Sequence, residues 1–339
     1  MIVTVCAAGC AYASLATAAA RVPAGSTILV HGTQRGDVLV DKPLTIRGAG
    51  DAVITGGTSG IVVRAANARI EGLTLRGYAL SDMADNSGAL VFANAPHAVA
   101  AGNVIEDCAA DAIRVWYSAG VLLQGNVVRG ARDVFVTYSP GVTLRANRIS
   151  GARYGLHDMF SDRVTVTDNV FAGNEIGANF MYARKLTITG NTFAGNHGPT
   201  GYGIGLEDVD SSRIAGNRIL NNHVGLNTVD SPTDPSLPDQ IESNIFSHNG
   251  SALSVQSNPH ALRVLGNGFV DNIEDVEVSG GGTAGGVIWN ENGAGNYWSV
   301  YAGYDRNGDG IGDVAFAPRA AFDTLSDAHP ELQMFRYSP

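Results

Sequence analysis

Three side chains in the middle of this chain have the chemistry to bind Cu(I). They are His157, Met159 and Met181, an imidazole and two thioethers. Soft donors of this kind suit Cu(I), whereas hard cations take oxygen ligands. The sequence therefore predicts a copper site, provided that the fold brings these side chains to one outer surface. The alternative is that the methionines belong to the core, where methionine commonly fills gaps.

A polar segment near the C-terminus resembles part of a calcium-binding loop. Oxygen-bearing side chains stand at positions 1, 3, 5 and 9 of such a loop: Asp305, Asn307, Asp309 and Asp313. Gly310 occupies position 6, where a calcium loop turns sharply. Phe316 replaces the bidentate glutamate of position 12, and the flanking sequence predicts no pair of helices. A site for Ca²⁺ or another hard cation and a plain polar turn both remain open.

An internal repeat of about 22 residues must position the predicted copper ligands. An asparagine, usually after glycine, starts each unit: Asn103, Asn126, Asn147, Asn169, Asn191, Asn217, Asn244 and Asn267. An apolar residue follows two positions later, and alternation such as Val164-Thr165-Val166 predicts short strands. A unit this short cannot bury a core alone, so the units must stack. We predict an all-β fold, a single-stranded parallel β-helix of roughly nine to eleven coils, with stacked asparagines and a core of stacked Phe and Ile side chains. A right-handed solenoid is typical of the class.

Caps are expected at both ends, because an open solenoid exposes strand edges and core. We predict three parts in chain order: an N-terminal cap (1–24) with a short Ala-rich helix (12–21), the parallel β-helix (25–278), and an extended C-terminal loop and tail (279–339). Three insertions interrupt the repeat, at 79–88, 197–202 and 231–240. Such insertions usually form surface loops on one face and often carry function.

Alignment of the coils by their asparagines predicts which side chains face outward. His157, Met159 and Met181 lie twelve or ten residues before an asparagine, and strand alternation places both positions on the outer face. The position nine residues before carries an aromatic column that we expect in the core: Tyr117, Tyr138, Phe160 and Tyr182. This orientation turns Asp158 inward, which a strand break near residue 158 would avoid.

Composition excludes several classes of function. The net charge of −10 argues against nucleic acid, whose phosphates require basic patches. Only Lys42 and Lys185 are lysines, and no apolar run is long enough to span a bilayer. Residues 2–20 are apolar and small, but no basic residue precedes Arg21, so we interpret them as mature sequence without an export signal.

The three cysteines divide into a pair and a single residue. Cys6 and Cys10 are four positions apart and either form a disulfide in an oxidising compartment or are two small buried residues. Cys108 lies within a repeat and is expected in the core.

Several segments of the chain resemble the NosD family. They are 153–160 (RYGLHDMF), 177–182 (GANFMY), 203–210 (GIGLEDVD), 276–281 (VEVSGG) and 295–313, which contains Gly295-Asn296-Tyr297-Trp298. The resemblance implies a periplasmic, non-enzymatic accessory protein for maturation of the copper site of nitrous-oxide reductase, handling copper or sulfur. It implies three partners: an ABC transporter membrane subunit, a copper chaperone and the reductase. We expect 79–88, 231–240 and the Tyr/Trp-rich C-terminal segment to provide partner surfaces.

An enzymatic reading also stays open, because related β-helices include polysaccharide lyases and uronate epimerases. Such enzymes need an acid, a base and a cation to neutralise the substrate carboxylate. Five residues supply these groups within two coils: Arg114, Arg153, Tyr154, His157 and Asp158. The acidic, lysine-poor composition disfavours acidic substrates. A purely structural or adhesive β-helix is the remaining alternative, but it would have no need of outward methionines.

Overall fold

The structure, a computed structural model, describes residues 1–79, 87–198, 201–256, 259–279 and 284–316, together with His329. Parallel strands stack into a β-solenoid of about twelve turns, which confirms the predicted fold and slightly exceeds the predicted number of coils. Each full coil contributes strands to three stacks. Among the described residues, no helix is long and apolar enough to cross a membrane.

The first stack consists of short strands in the order of the chain. Numbered through the whole chain, they are β1 (Ile2–Val5), β2 (Thr27–Val30), β5 (Thr45–Gly48), β8 (Arg69–Glu71), β11 (Val99–Ala101), β14 (Leu122–Gln124), β16 (Thr143–Arg145), β18 (Thr165–Thr167), β21 (Thr187–Thr189), β24 (Arg213–Ala215), β27 (Asp239–Glu242), β30 (Leu262–Leu265) and β33 (Val287–Ile288). The central residue of most of these strands is apolar and points into the core, as Val166 and Ile188 do.

The second stack carries the predicted core column of Phe and Ile side chains. Its strands are β3 (Thr33–Arg35), β6 (Val53–Thr55), β9 (Thr74–Arg76), β12 (Val104–Cys108), β15 (Val127–Thr137), β17 (Arg148–Met159), β19 (Val170–Ala172), β22 (Thr192–Ala194), β25 (Arg218–Leu220), β28 (Ile245–Ser247), β31 (Gly268–Val270) and β34 (Tyr297–Trp298). The buried rings of Phe171 and Phe193 stack with centroids 4.9 Å apart. The predicted column of stacked Phe and Ile side chains is therefore confirmed.

The third stack positions the candidate site. It is formed by the second halves of β15 and β17 with β4 (Val38–Val40), β7 (Ile61–Val63), β10 (Gly88–Ala93), β13 (Asp111–Trp116), β20 (Ile176–Arg184), β23 (Tyr202–Asp210), β26 (Val224–Val229), β29 (Ser251–Gln256) and β32 (Glu274–Ser279). The register between β15 and β17 shifts between Asp133 and Phe135. The shift pairs Asp133 with Tyr154 and Phe135 with His157.

The repeated asparagines form a hydrogen-bonded ladder inside one turn of each coil. Asn169 is typical: its Nδ2 donates to the Leu144 carbonyl oxygen and to Asn191 Oδ1, both at 3.0 Å. Its own Oδ1 accepts the backbone N–H and the Nδ2 of Asn147, both at 2.8 Å. The pattern links asparagines from Asn103 to Asn296. Buried polar groups of the turn are thereby satisfied, as the repeat predicted.

Both ends of the solenoid are covered. Helix α1 (Leu15–Arg21) starts after Ser14, whose Oγ accepts the Thr17 N–H, and begins three residues later than the predicted helix. Its buried face packs on β2 and β4. At the other end, the Trp298 ring stacks 4.2 Å from that of Phe269 and extends the aromatic core.

The cysteines behave in two different ways. Cys6 and Cys10 form a disulfide, which settles the alternative that the sequence left open. Cys108 is free and buried, as predicted. Burial is the main cause that raises the pKa of the Cys108 thiol to about 11, so this thiol stays protonated and unreactive near neutral pH.

Candidate functional site

The three predicted copper ligands lie on one outer face of the third stack. Met159 on β17 stands directly opposite Met181 on β20, and His157 precedes Met159 by two residues. All three side chains are partly exposed, whereas Leu156, Asp158 and Phe180 between them are buried. Neighbouring layers are ~4.8 Å apart and alternate residues ~7 Å apart, so the three donors share one small patch. The predicted outward orientation is confirmed.

The His157 ring is held on three sides. It stacks on Tyr154, with centroids 4.5 Å apart, and touches the Phe135 ring at 5.0 Å. Its Nδ1 faces the Asp133 carboxylate at 3.9 Å, long for a hydrogen bond but close enough for charge attraction. This contact favours a proton on Nδ1, which leaves the lone pair of Nε2 free.

The other ring nitrogen of His157 is the strongest sign of a ligand. His157 Nε2 is buried and has no hydrogen-bond partner in the described structure. An unsatisfied buried polar atom is costly and calls for an explanation, such as a missing ligand. The methionine sulfurs require no hydrogen bonds of their own. The donor set thus fits a soft metal ion such as Cu(I).

A network of arginines and aspartates supports the histidine. The Asp133 side chain is only 4 % exposed, and Arg153 donates a 2.5 Å hydrogen bond to its carboxylate. Burial opposes its charge, but His157 and Arg153 outweigh burial and lower the pKa of Asp133. Buried Asp111 binds Arg132 at 2.8 Å and Arg114 at 2.9 Å. The network keeps the Asp133 carboxylate ionised beside the imidazole.

Sequence reasoning missed Asp133, Asp111 and Arg132. The two aspartates are 22 residues apart, about one coil, and this recurrence is the signal that could have identified them. Among the described residues, no group of three or more His, Cys, Asp or Glu side chains could hold a metal ion. The candidate site differs because two of its three donors are methionines.

The opposite border of the patch is acidic. Glu207 stands in register with Met181, and Asp208 and Asp230 occupy the turns of this and the next coil. Burial first, and then repulsion by neighbouring aspartates, of which Asp230 acts on both, raises the pKa values of Glu207 and Asp208. Tyr202 lies nearby, and burial raises the pKa of its phenol to about 12. This end of the patch carries negative charge without a basic partner in the described residues.

One prediction about the neighbourhood of the site is wrong. The aromatic column of Tyr117, Tyr138, Phe160 and Tyr182 is not in the core but forms an exposed stack, here called the aromatic ladder. Each of these four residues has a positive φ, and this local change in the direction of the backbone interrupts the strand alternation. The inward orientation of Asp158 is confirmed, and β17 continues without a break to Met159.

Asp158 is consequently an uncommon core residue. It is fully buried between Val136 and Phe180, and neither carboxylate oxygen has a hydrogen-bond partner. Burial raises its pKa well above the usual range, and Ser161 opposes this only in part. Asp158 therefore faces away from the outer surface. The lyase-like set of Arg114, Arg153, Tyr154, His157 and Asp158 loses this member, while the others do cluster.

The C-terminal acidic segment is exposed and folded on itself. Asp305 accepts the backbone N–H groups of Gly308 at 2.7 Å and Gly310 at 2.8 Å, and these bonds lower its pKa. The Asn307 Nδ2 donates to Asp309, and the Asp313 carboxylate accepts the Arg306 N–H. These hydrogen bonds account for the carboxylates as turn-forming groups. The calcium site stays a prediction.

The expected partner surfaces are only partly described. The loop at 231–240 is exposed over residues 233–236. Most of 79–88 lies outside the described residues. In the C-terminal segment, Tyr297 and Tyr304 are exposed, whereas Trp298 belongs to the core.

Comparison with solved structures identifies the architecture. The chain is similar to the A-module of a mannuronan C-5 epimerase from Azotobacter vinelandii, with a TM-score of 0.56 and 13 % identity. The match covers 84 % of this chain and 91 % of that module. At this level of identity the similarity shows a shared β-helix fold and leaves the chemistry undecided.

Comparison of sequences is more informative. A probable ABC transporter binding protein NosD from Stutzerimonas stutzeri is 36 % identical over 104 residues, covering 31 % of this chain and 23 % of that protein. The protein of the same description from Pseudomonas aeruginosa is 31 % identical over 148 residues, covering 41 % of this chain and 34 % of that protein. The matched parts thus span 23 % and 34 % of these relatives. Residues 102–303 match the family described as periplasmic copper-binding protein (NosD), and this chain belongs to that family.

Proposed function

We propose that this protein is a periplasmic accessory factor that carries Cu(I) for the maturation of the copper site of nitrous-oxide reductase. One observation carries the proposal: His157 Nε2 is buried without a partner beside two outward methionines in register. Cu(I) is cargo in this role. His157 Nε2 and the sulfurs of Met159 and Met181 would hold it, and the partial exposure of the two methionines leaves a path for its release.

The proposal extends to the partners that the relatives suggest. Relatives that share parts of this sequence are described as probable ABC transporter binding proteins. We propose that this chain works beside such a transporter, receives copper from a chaperone and delivers it to the reductase. No phosphate-binding loop of the Gly-Lys-Ser/Thr type occurs in the sequence, so nucleotide hydrolysis falls to the transporter. Sulfur is the alternative cargo.

An anaerobic Cu(I) competition titration against a chromophoric chelator tests the proposal. The parent is expected to bind one Cu(I). The variant His157→Phe/Met159→Leu/Met181→Leu conserves side-chain volume but removes the donors, so its affinity is expected to fall at least a hundredfold. His31→Phe is the matched control, because His31 also faces a carboxylate at 3.9 Å but has no methionine neighbour in its coil. Equal binding by parent and triple variant would rule out this site.

Weak or absent binding of Cu(I) by the parent would favour sulfur as the cargo or an enzymatic activity on carbohydrates. A sulfide-transfer assay and a uronate oligosaccharide screen would then decide between them. Retention of activity on an oligosaccharide by the triple variant would separate that activity from His157.

Asp133→Asn is expected to weaken Cu(I) binding about tenfold. The amide keeps the shape of the carboxylate but loses the charge that orients His157, and changes in such outer groups typically cost 10- to 100-fold in metal affinity. The same titration measures the effect. Asp51→Asn is the matched control, because Asp51 faces the His31 ring at the same 3.9 Å but lies outside the candidate site. An unchanged affinity in Asp133→Asn would show that Asp133 does not orient the ligand.

A further inference from the structure

The aromatic ladder presents ring edges to solvent. Tyr117, Tyr138, Phe160 and Tyr182 are 40–48 % exposed, although their rings stack with centroids 4.9–5.0 Å apart and planes within 9° of parallel. Stacking covers the ring faces between neighbouring coils, so a sugar finds no open face along the middle of the ladder. The ladder offers instead a strip of apolar edges and tyrosine hydroxyl groups, which are typical of protein interfaces.

The turn itself does not require aromatic side chains. The four ladder residues have φ of 46° to 55°, a left-handed conformation that bulky residues rarely adopt. In coils on either side, Asn94, Asp208 and Asp230 occupy the same turn position with φ of 54°, 51° and 45°. Asparagine and aspartate accept this conformation more readily. The chain therefore uses aromatic residues here in four consecutive coils for a reason other than formation of the turn.

The ladder also borders the copper ligands. Phe160 directly follows Met159, and Tyr182 directly follows Met181. Beyond Tyr182, the same surface continues into Glu207, Asp208 and Asp230, which form no ion pair with a described residue. An apolar strip that ends in uncompensated negative charge is complementary to an apolar segment flanked by basic side chains.

We propose that the aromatic ladder and its acidic end dock the partner protein that exchanges Cu(I) with the site, through an apolar segment of that partner flanked by basic residues. This inference rests on the proposed function, because it takes the exchange of Cu(I) as the reason for docking. The partner would lie beside Met159 and Met181 without blocking them.

Binding of copper-free nitrous-oxide reductase to this protein tests the inference. The ladder variant is Tyr117→Asn/Tyr138→Asn/Tyr182→Asn, because Asn94 shows that asparagine forms this turn. It is expected to bind the reductase at least tenfold more weakly than the parent, with Cu(I) affinity within twofold of the parent. Ile245→Asn/Ile273→Asn is the matched control, since both side chains are apolar and exposed but lie outside the ladder and outside the expected partner surfaces. Asp208→Asn/Asp230→Asn is expected to reduce the salt dependence of binding.

Three outcomes would overturn the docking surface: a parent that does not bind the reductase, a ladder variant that binds as the parent does, or loss of binding in the control as well. Binding of a uronate oligosaccharide that is lost only in the ladder variant would also overturn it, in favour of a glycan. If the ladder variant loses the reductase while the parent binds no Cu(I), the docking surface stands and the proposed cargo fails.

Discussion

Asn169→Ala is expected to lower the free energy of unfolding by about 3–5 kcal/mol. Asn169 lies in the middle of the column of hydrogen-bonded asparagines, so its replacement removes hydrogen bonds to the coils on both sides. It leaves the backbone N–H of Asn147, the Leu144 carbonyl oxygen and Asn191 Oδ1 each short of a partner in a buried turn. Each unsatisfied buried group costs about 1–3 kcal/mol, and relaxation recovers part of the sum. Chemical denaturation followed by circular dichroism measures the change.

Asn227→Ala is the control for the asparagine column. Asn227 lies on β26 on the outer face and is partly exposed, so its replacement is expected to change the stability by less than about 0.5 kcal/mol. A similarly small change for Asn169→Ala would mean that the hydrogen bonds of the asparagine column add no stability beyond the packing of the turn.

The stability of the protein is expected to fall as the pH rises from 5 to 8, and Asp239 is one identified cause. This carboxyl group on β27 is fully buried, and only one of its oxygens has a partner, the Ser212 N–H at 2.8 Å. Burial, helped by Asp210, raises the pKa of Asp239 from 3.8 to about 8. Between these values the folded chain binds a proton that the unfolded chain releases, so each pH unit costs stability. The loss from this group approaches about 4 kcal/mol over the three units, at about 1.4 kcal/mol per unit.

Asp239→Asn is expected to remove this part of the pH dependence, because the amide has no proton to release. Unfolding free energies of parent and variant at pH 5 and pH 8 give the difference directly. Asp158 acts in the same direction, so the Asp239→Asn variant retains the part of the pH dependence that comes from Asp158. Asp234→Asn, an exposed residue in the adjoining loop, should leave the slope unchanged. Parallel pH profiles for parent and Asp239→Asn would contradict the assignment.

The repeat made much of the fold predictable because identical positions stack on one another. The column of asparagines and the Phe and Ile core follow from the period alone, as Asn169 and Phe193 illustrate. The orientation of His157 and Met159 was also predictable, since strand alternation holds along β17. These features depend on regular structure that recurs in every coil.

The remaining features depend on local departures from that regularity. Phe160 and Tyr182 lie outside the core because their own left-handed backbone conformation interrupts the alternation of the strand. The contact between Asp133 and His157 depends on a register shift that the spacing of the asparagines does not reveal. Strand alternation places Asp158 inward correctly, but it does not reveal that the buried carboxyl group has no hydrogen-bond partner there.

The stacking of layers fixes how far the candidate site lies from the two ends of the molecule. In the third stack, β17 and β20 have five and four strands beyond them on their respective sides among the described residues. At ~4.8 Å per layer, the proposed copper ligands therefore lie on the order of 20–25 Å from each end of this stack. Under the proposed function, a membrane partner bound to one end of the stack would leave its side accessible. Cu(I) would then enter and leave from the side, so a donor and an acceptor would have to bind the same side in turn.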